Sequence, residues 1–438
     1  MKNLPQKYVV EMEALLGKEE CEKYLSSFDI PAHHGLRVNT SKISVSDFLA
    51  NFPYELKPVP WCSNGFYYNE EDPVTKHPYY YAGLYYIQEP SAMLPAETLP
   101  VEHGDKVLDI CAAPGGKSTE LAVKLNGTGV LFSNDISASR AQILLKNLEK
   151  FGTRNAIVMA EDSNKFKKYF PNYFDKILID APCSGEGMFR KESHLIQSWI
   201  ERDSSYYVPI QKEIVKNCLE MLADGGSIVY STCTFSPCED EEVIQYALSL
   251  EPNLKVIPLP YHEGFVQNEY GTKLFPHRIN GEGHFVCLLQ KGMPQPKQTI
   301  TTKKTSIRYP GIHLEVESGQ QAKIKDKTYY IPKCDVDLKG LRILRSGLLL
   351  SESKKGREEV EPILALALKE KEAEQSLHLD CNDARVLKYL KGETIDISSE
   401  NLKDGYVLVC VDHYPLGFAK ITKGIFKNKY PKAWIYKS

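Results

Sequence analysis

No apolar run in this chain approaches the roughly 18 residues that a membrane span requires, although 42% of its 438 residues are hydrophobic. The opening Met1-Lys-Asn-Leu-Pro-Gln-Lys contains no apolar h-region. No secretory signal is therefore predicted, and the expected address is the cytoplasm. Paired CxxC motifs are absent, and the 11 cysteines are odd in number and irregularly spaced. This speaks against a disulfide scaffold and a structural zinc site, so no metal is expected. Most of these thiols should be small buried apolar groups. Acidic residues are missing after Asp412, where Lys420, Lys423, Lys427, Lys429, Lys432 and Lys437 alternate with Phe426, Tyr430, Trp434 and Tyr436. From residue 291 onward 27 basic residues stand against 19 acidic, whereas the first 290 residues carry 27 against 38. A basic, aromatic-interleaved tail suits a polyanion with stackable bases. Taken alone, the same composition describes a solvated face with a few core aromatics.

The length suggests two to four domains. Residues 1–100 read as a small N-terminal α/β domain, with helical periodicity over 7–25 and short strands at 36–39 and 65–68. Residues 101–292 differ. Apolar runs at 107–110, 129–132, 156–159, 176–179, 227–230 and 284–290 alternate with helical patterns from 117, over 137–151, 209–222 and 240–250. Such alternation predicts an α/β fold with a doubly wound, Rossmann-like parallel sheet, its ligand at the carboxyl ends of the strands. Residues 293–310 have linker composition. A basic region follows, with a first part over 311–375. Residues 376–438 read as a small β-rich module with a strand at 406–411 and a turn at 412–417.

Where the first strand meets the first helix stands Asp109-Ile110-Cys111-Ala112-Ala113-Pro114-Gly115-Gly116-Lys117. Gly115 and Gly116 allow the backbone close to a ligand, and the helix start offers free N–H groups. The segment is neither GxGxxG nor a P-loop, since Cys111 occupies the place of the first P-loop glycine. Asp135 ends the second strand, where doubly wound folds place an acid for ribose hydroxyls. Asp162 follows the third strand and is suited to accept from an adenine amino group. Any one such Asp is more often a helix cap. Three after successive strands point to a nucleoside cofactor, either an adenosyl methyl donor or a nicotinamide.

The fourth strand runs into Asp180-Ala181-Pro182-Cys183-Ser184-Gly185, and the fifth into Ser231-Thr232-Cys233-Thr234. Both cysteines lie just past the sheet edge. An isolated cysteine is usually inert and buried, but two beside a cofactor suit pyrimidine chemistry. Cytosine C5 becomes nucleophilic once a thiolate adds to C6, and a base must then remove the C5 proton. Cys233 is suited to attack, Asp180 to contact N3 and N4, and Cys183 to act as base or relay. Lys117 would lower the Cys233 pKa if the fold brings it near. Spacing alone leaves either thiol as the nucleophile.

At these residues the chain resembles the RNA cytosine-C5 methyltransferases of the Nop/Sun family. The resembling motifs are 109–117, Asn134-Asp135-Ile136-Ser137 with Arg140 and Asn147, Glu161-Asp162, 180–185, and 231–233 with 236–241. The resemblance implies Cys233 as nucleophile and Cys183 as the residue that releases product. It also implies that Cys111, Ala112, Ala113, Pro114, Gly115, Gly116, Lys117, Asp135, Asp162 and Asp180 line a pocket for S-adenosylmethionine. His77-Pro78, residues 82–93, 344–347, 354–357 and 414–417 resemble bacterial members of the family that act on 16S ribosomal RNA. Glu361-Pro362-Ile363-Leu364-Ala365 departs from that group, in which Ser-His often replaces Ile-Leu. The resemblance implies a PUA-like RNA-binding tail and a cytidine of the decoding region as target, in free 16S RNA or the 30S subunit. A monomer without membrane partner is expected. A DNA cytosine methyltransferase would instead use Cys183 and need a Glu-Asn-Val element, which is absent. A catalytically dead assembly factor would not need the two thiols, and a nicotinamide oxidoreductase would be expected to carry GxGxxG.

Overall fold

The computed structural model describes residues 4–293, 305–317, 319–354 and 356–436. At its centre stand five parallel strands in the order Leu222–Thr232, Phe174–Asp180, Lys106–Asp109, Val130–Asn134 and Ala156–Met159. Alternate residues face opposite cores. Val107, Leu131, Leu178 and Val229 pack on one side, and Leu108, Phe132, Ile177 and Ile228 on the other. Burial on both faces explains why these strands read as continuous apolar runs. Helices Gly116–Leu125, Ala138–Phe151, Ser204–Met221 and Glu241–Leu250 are the connections expected of a doubly wound fold.

Antiparallel strands bound the parallel core. His284–Lys291 pairs with Leu222–Thr232, and Gly271–Leu274 and Val266–Asn268 follow outward. At the opposite edge Ile343–Ser346, from far along the chain, pairs with Ala156–Met159. The C-terminal region thereby covers an edge that would otherwise present unpaired backbone groups. Nearby, Ala138–Phe151 ends at Gly152 with φ 75°. A Cβ on Gly152 would lie 2.3 Å from the Leu366 carbonyl oxygen, so glycine is required by conformation and by the approach of that segment.

Two expectations need correction, and a choice between two readings is decided. The helix expected over 7–25 is two helices, Gln6–Leu16 and Lys18–Ser26, broken at Gly17, whose φ of 78° no helix accommodates. Of the expected linker, 294–304 lie outside the described residues, but Thr305–Tyr309 forms a hairpin with Ile312–Val316. Ile307, Ile312 and Leu314 supply its buried face. For the tail, the structure follows the reading of a solvated basic face with core aromatics. Phe426 and Tyr430 are buried with Leu377, Tyr389 and Val409 against Leu36, Phe48 and Tyr85 of the N-terminal part. They are core residues, while Lys423, Lys427 and Lys432 remain exposed.

The N-terminal part thus joins two regions. Its sheet, ordered Lys57–Pro58, Gly65–Tyr68, His34–Val38, Tyr85–Ile87, packs on the C-terminal sheet of Ser376–Leu379, Gly405–Val411, Tyr414–Thr422 and Ile425–Asn428. Its helices place Tyr8 and Tyr24 against Phe189, Trp199, Phe235 and Phe275 of the region that holds the parallel sheet. Among the described residues no helix is long and apolar enough to cross a membrane.

Candidate active site

Strand register builds the site. Asp180 stands directly opposite Ser231 in the parallel pair, so the two strands end level. The chains leaving them bring Cys183 and Cys233 together, both half-buried, with their sulfurs 3.3 Å apart and unbonded. The Cys233 N–H also points to the Cys183 sulfur at 3.4 Å. The bond to Cys233 and burial hold the Cys183 thiol well above its usual range. Cys183 is therefore a thiol at neutral pH, suited to donate to a thiolate at Cys233.

The two loops are laced to each other. The Gly187 N–H donates to the Cys233 carbonyl at 2.9 Å, and the Ser184 and Thr234 hydroxyls lie 2.8 Å apart. Glu239, fully buried, accepts from the Ser184 N–H at 3.0 Å and from the Gln211 amide at 2.8 Å. Gln211 in turn donates to the Pro182 carbonyl at 2.9 Å. Burial pushes the Glu239 carboxyl up to about 7. A buried network of this kind fixes the loop only while its members are satisfied.

The Lys117 ammonium lies 2.7 Å from the Asp180 carboxylate. The structure thus pairs its charge with Asp180. Ser231 donates to the other Asp180 oxygen at 2.9 Å. Burial alone would raise this carboxyl, but the Lys117 charge and these hydrogen bonds more than offset it and hold it below its usual value. His284 is buried nearby, its Nδ1 3.0 Å from the Ser91 hydroxyl. Burial and the Lys117 charge push it down to about 4, so the imidazole is neutral.

The remaining acids continue along the sheet edge in the order Asp180, Asp109, Asp135, Asp162, one for each of four adjacent strands. Asp109 is buried and accepts from the Ser118 hydroxyl at 2.7 Å, while its Oδ1 has no partner. Asp135 is buried and accepts from the Ser137 N–H at 2.9 Å. Beside it Ile136 is 66% exposed, an apolar surface with no packing role. Asp162 is exposed and caps a short helix through the Asn164 N–H at 2.8 Å. The loop from Cys111 to Gly116 is held from outside, with Arg140 donating to the Ala113 carbonyl and Asn147 to the Pro114 carbonyl, each at 2.8 Å. Gly115 has φ 115°, and its missing Cβ would sit 3.2 Å from Leu144.

Family models match nearly the whole chain. Residues 96–290 match "16S rRNA methyltransferase RsmB/F", and 4–90 the N-terminal domain of 16S rRNA methyltransferase RsmF. Residues 310–369 match the first C-terminal domain of that methyltransferase, and 376–436 its PUA domain. The ribosomal RNA small subunit methyltransferase F of Erwinia tasmaniensis is 31% identical, with 98% of this chain and 96% of that protein covered. The chain belongs to the RsmF family. The Escherichia coli protein of the same name is 31% identical over the same shares. A solved methyltransferase homologue from Pyrococcus horikoshii is 30% identical with a TM-score of 0.54, covering 66% of this chain and all of that one.

S-adenosylmethionine is the cofactor of this RsmF-family enzyme, and the site fits it. The donor is cationic at sulfur and rich in hydroxyl donors, and the sheet edge offers a buried carboxylate oxygen without a partner at Asp109 Oδ1. Sequence reasoning had no role for Ser231, Gln211, Glu239, Ser91 or His284. Ser231 lay within the resembling run 231–233, Glu239 within 236–241 and Ser91 within 82–93. In all three cases the signal was a motif without a mechanism, because the partners are distant in sequence.

Proposed function

We propose that this enzyme methylates carbon 5 of a cytidine in 16S ribosomal RNA, with Cys233 adding to C6 and Cys183 assisting release. The observation that carries the reading is the pair of thiols 3.3 Å apart at the same sheet edge as the Lys117–Asp180 ion pair. Attack of the Cys233 thiolate on C6, with a proton delivered to N3, makes C5 an enamine carbon. Asp180, held ionised, accepts a hydrogen bond from the N4 amino group. The Lys117 ammonium is the donor at N3. The bound cofactor supplies an electrophilic methyl group. Cys183 then gives its proton to the departing Cys233 sulfur and takes up the proton of C5, which closes the C5–C6 double bond; N3 returns its proton to Lys117, and the Cys233 thiol ionises again for the next turnover.

The same reading assigns the cofactor pocket to Cys111, Ala112, Ala113, Pro114, Gly115, Gly116 and Lys117, with Asp180 at its border. Asp135 takes ribose hydroxyls, Asp162 the adenine amino group, and Ile136 the adenine face. It divides the chain into an RNA-binding domain over 1–100, a catalytic domain over 101–292 and a C-terminal region whose last part, 376–438, also binds RNA. The test is transfer of a tritiated methyl group to naked 16S RNA, 30S subunits and 23S RNA, followed by bisulfite mapping. Label at cytidine C5 in 16S RNA or 30S subunits is expected. Label confined to 23S RNA, or at another atom, would sink the proposal.

Burial, reinforced by Asp180 and Asp135, pushes the Asp109 carboxyl up to about 7. It is protonated below that pH and ionised above it, and a cationic donor favours the ionised form. Cofactor affinity measured by calorimetry is expected to rise about tenfold between about pH 6 and about pH 8, relative to an Asp109→Asn baseline. Parallel profiles for the two proteins would remove Asp109 from the cofactor site.

A further inference from the structure

Away from the sheet edge, one cluster in the C-terminal part has the donor set of a metal centre. Glu370, His378 and His413 each offer a ligand atom, and these atoms lie within 4.8 Å of one another. We propose that Glu370, His378 and His413 bind a divalent transition-metal ion. The three come from separate pieces of chain. Glu370 opens the short 3-10 helix Glu370–Glu372, His378 lies on the strand Ser376–Leu379, and His413 is in the tight turn between Gly405–Val411 and Tyr414–Thr422.

The spacing suits first-row chemistry. His378 Nε2 is 2.9 Å from Glu370 Oε1, and His413 Nδ1 is 3.2 Å from Glu370 Oε2. Nitrogen and oxygen ligands about 2 Å from a tetrahedral ion stand roughly 3.3 Å apart. The rings of His378 and His413 are 5.5 Å apart between centroids, inclined at 61°, so they converge without stacking. His378 Nδ1 faces the Asp412 carbonyl at 3.2 Å. With the ring proton on Nδ1, that contact is the usual support of a metal-bound histidine, and Nε2, which also lies 3.1 Å from the Ser376 hydroxyl, turns its lone pair to the cluster. Two imidazoles with one carboxylate favour zinc, cobalt or nickel over magnesium or calcium. Both histidines are exposed, so water completes the coordination.

The site lies where it can hold the C-terminal module in place. Two residues past Glu370, Glu372 receives the Arg154 guanidinium from the catalytic part. The residue before His413, Asp412, accepts from the Tyr79 hydroxyl of the N-terminal part at 2.6 Å. An ion bridging Glu370 and His413 ties these two interdomain contacts together.

The experiment titrates the full chain with Co²⁺ alone, by calorimetry and visible absorption, against Cys233→Ser, His378→Ala and His413→Ala. Cys233→Ser is included because the dithiol is itself a potential soft-metal trap. One ion per chain, retained in Cys233→Ser and weakened by more than about tenfold in each histidine variant, is expected. Unchanged metal-free melting temperatures will show that the histidine variants are folded. Absence of binding, or affinity lost in Cys233→Ser but kept in both histidine variants, overturns the proposal.

Discussion

Replacing Cys233 by alanine is expected to lower methyl transfer by about 10⁴-fold or more, to the limit of detection, because no other group supplies the C6 nucleophile. The substitution is conservative for the fold. The Cys233 carbonyl keeps its bond from Gly187, and the loop keeps the Ser184–Thr234 contact. Cys183→Ser should behave differently. Addition and methylation proceed, but a hydroxyl is a poor acceptor for the C5 proton, so the covalent link to Cys233 persists. A denaturation-stable protein–RNA adduct is therefore expected in Cys183→Ser, and none in the Cys183→Ser, Cys233→Ala double variant. Full activity in Cys233→Ala would end the mechanism. An adduct in Cys233→Ala but not in Cys183→Ser would exchange the two roles.

Asp180→Asn is expected to cost about 10²- to 10⁴-fold in turnover. The amide cannot hold the Lys117 ammonium as a counter-charge, and the N3 donor loses its position. Stability also falls, because Lys117, whose side chain is only 11% exposed, is left with an uncompensated charge. A double variant separates the two effects. Lys117→Met added to Asp180→Asn removes the stranded charge, so melting temperature should recover toward wild type while activity does not. If Asp180→Asn retains activity within about tenfold, the ion pair holds the fold and the proton reaches N3 by another route.

The family comparison and the five-stranded parallel core agree with what the sequence shows locally. Runs such as 107–110 and 156–159 are apolar throughout because both faces are buried, and that signal needs no knowledge of the neighbours. The loop 109–117 and the cysteines past two strand ends were legible for the same reason, since a strand end with a short turn is a local pattern. Side-chain partners were not. Lys117 looked available to Cys233, yet the register of Asp180 opposite Ser231 puts a carboxylate 2.7 Å from its ammonium. Glu239, Gln211 and His284 serve the site from elements 28 to 104 residues away from Cys183 or Asp180, and no window along the chain contains both ends of such a contact.

The ends of the chain divide in the same way. Composition marked residues 420–437 as basic and aromatic, but burial against Leu36 and Tyr85 made Phe426 and Tyr430 core residues. Ile343–Ser346 has nothing in its own sequence to show that it completes the catalytic sheet. Periodicity, turn chemistry and the order of strands are properties of neighbouring residues, and these the chain determines by itself. Which acid faces which lysine, which thiol keeps its proton and which strand covers an edge depend on groups brought together across hundreds of residues. Those contacts exist only once the chain has folded.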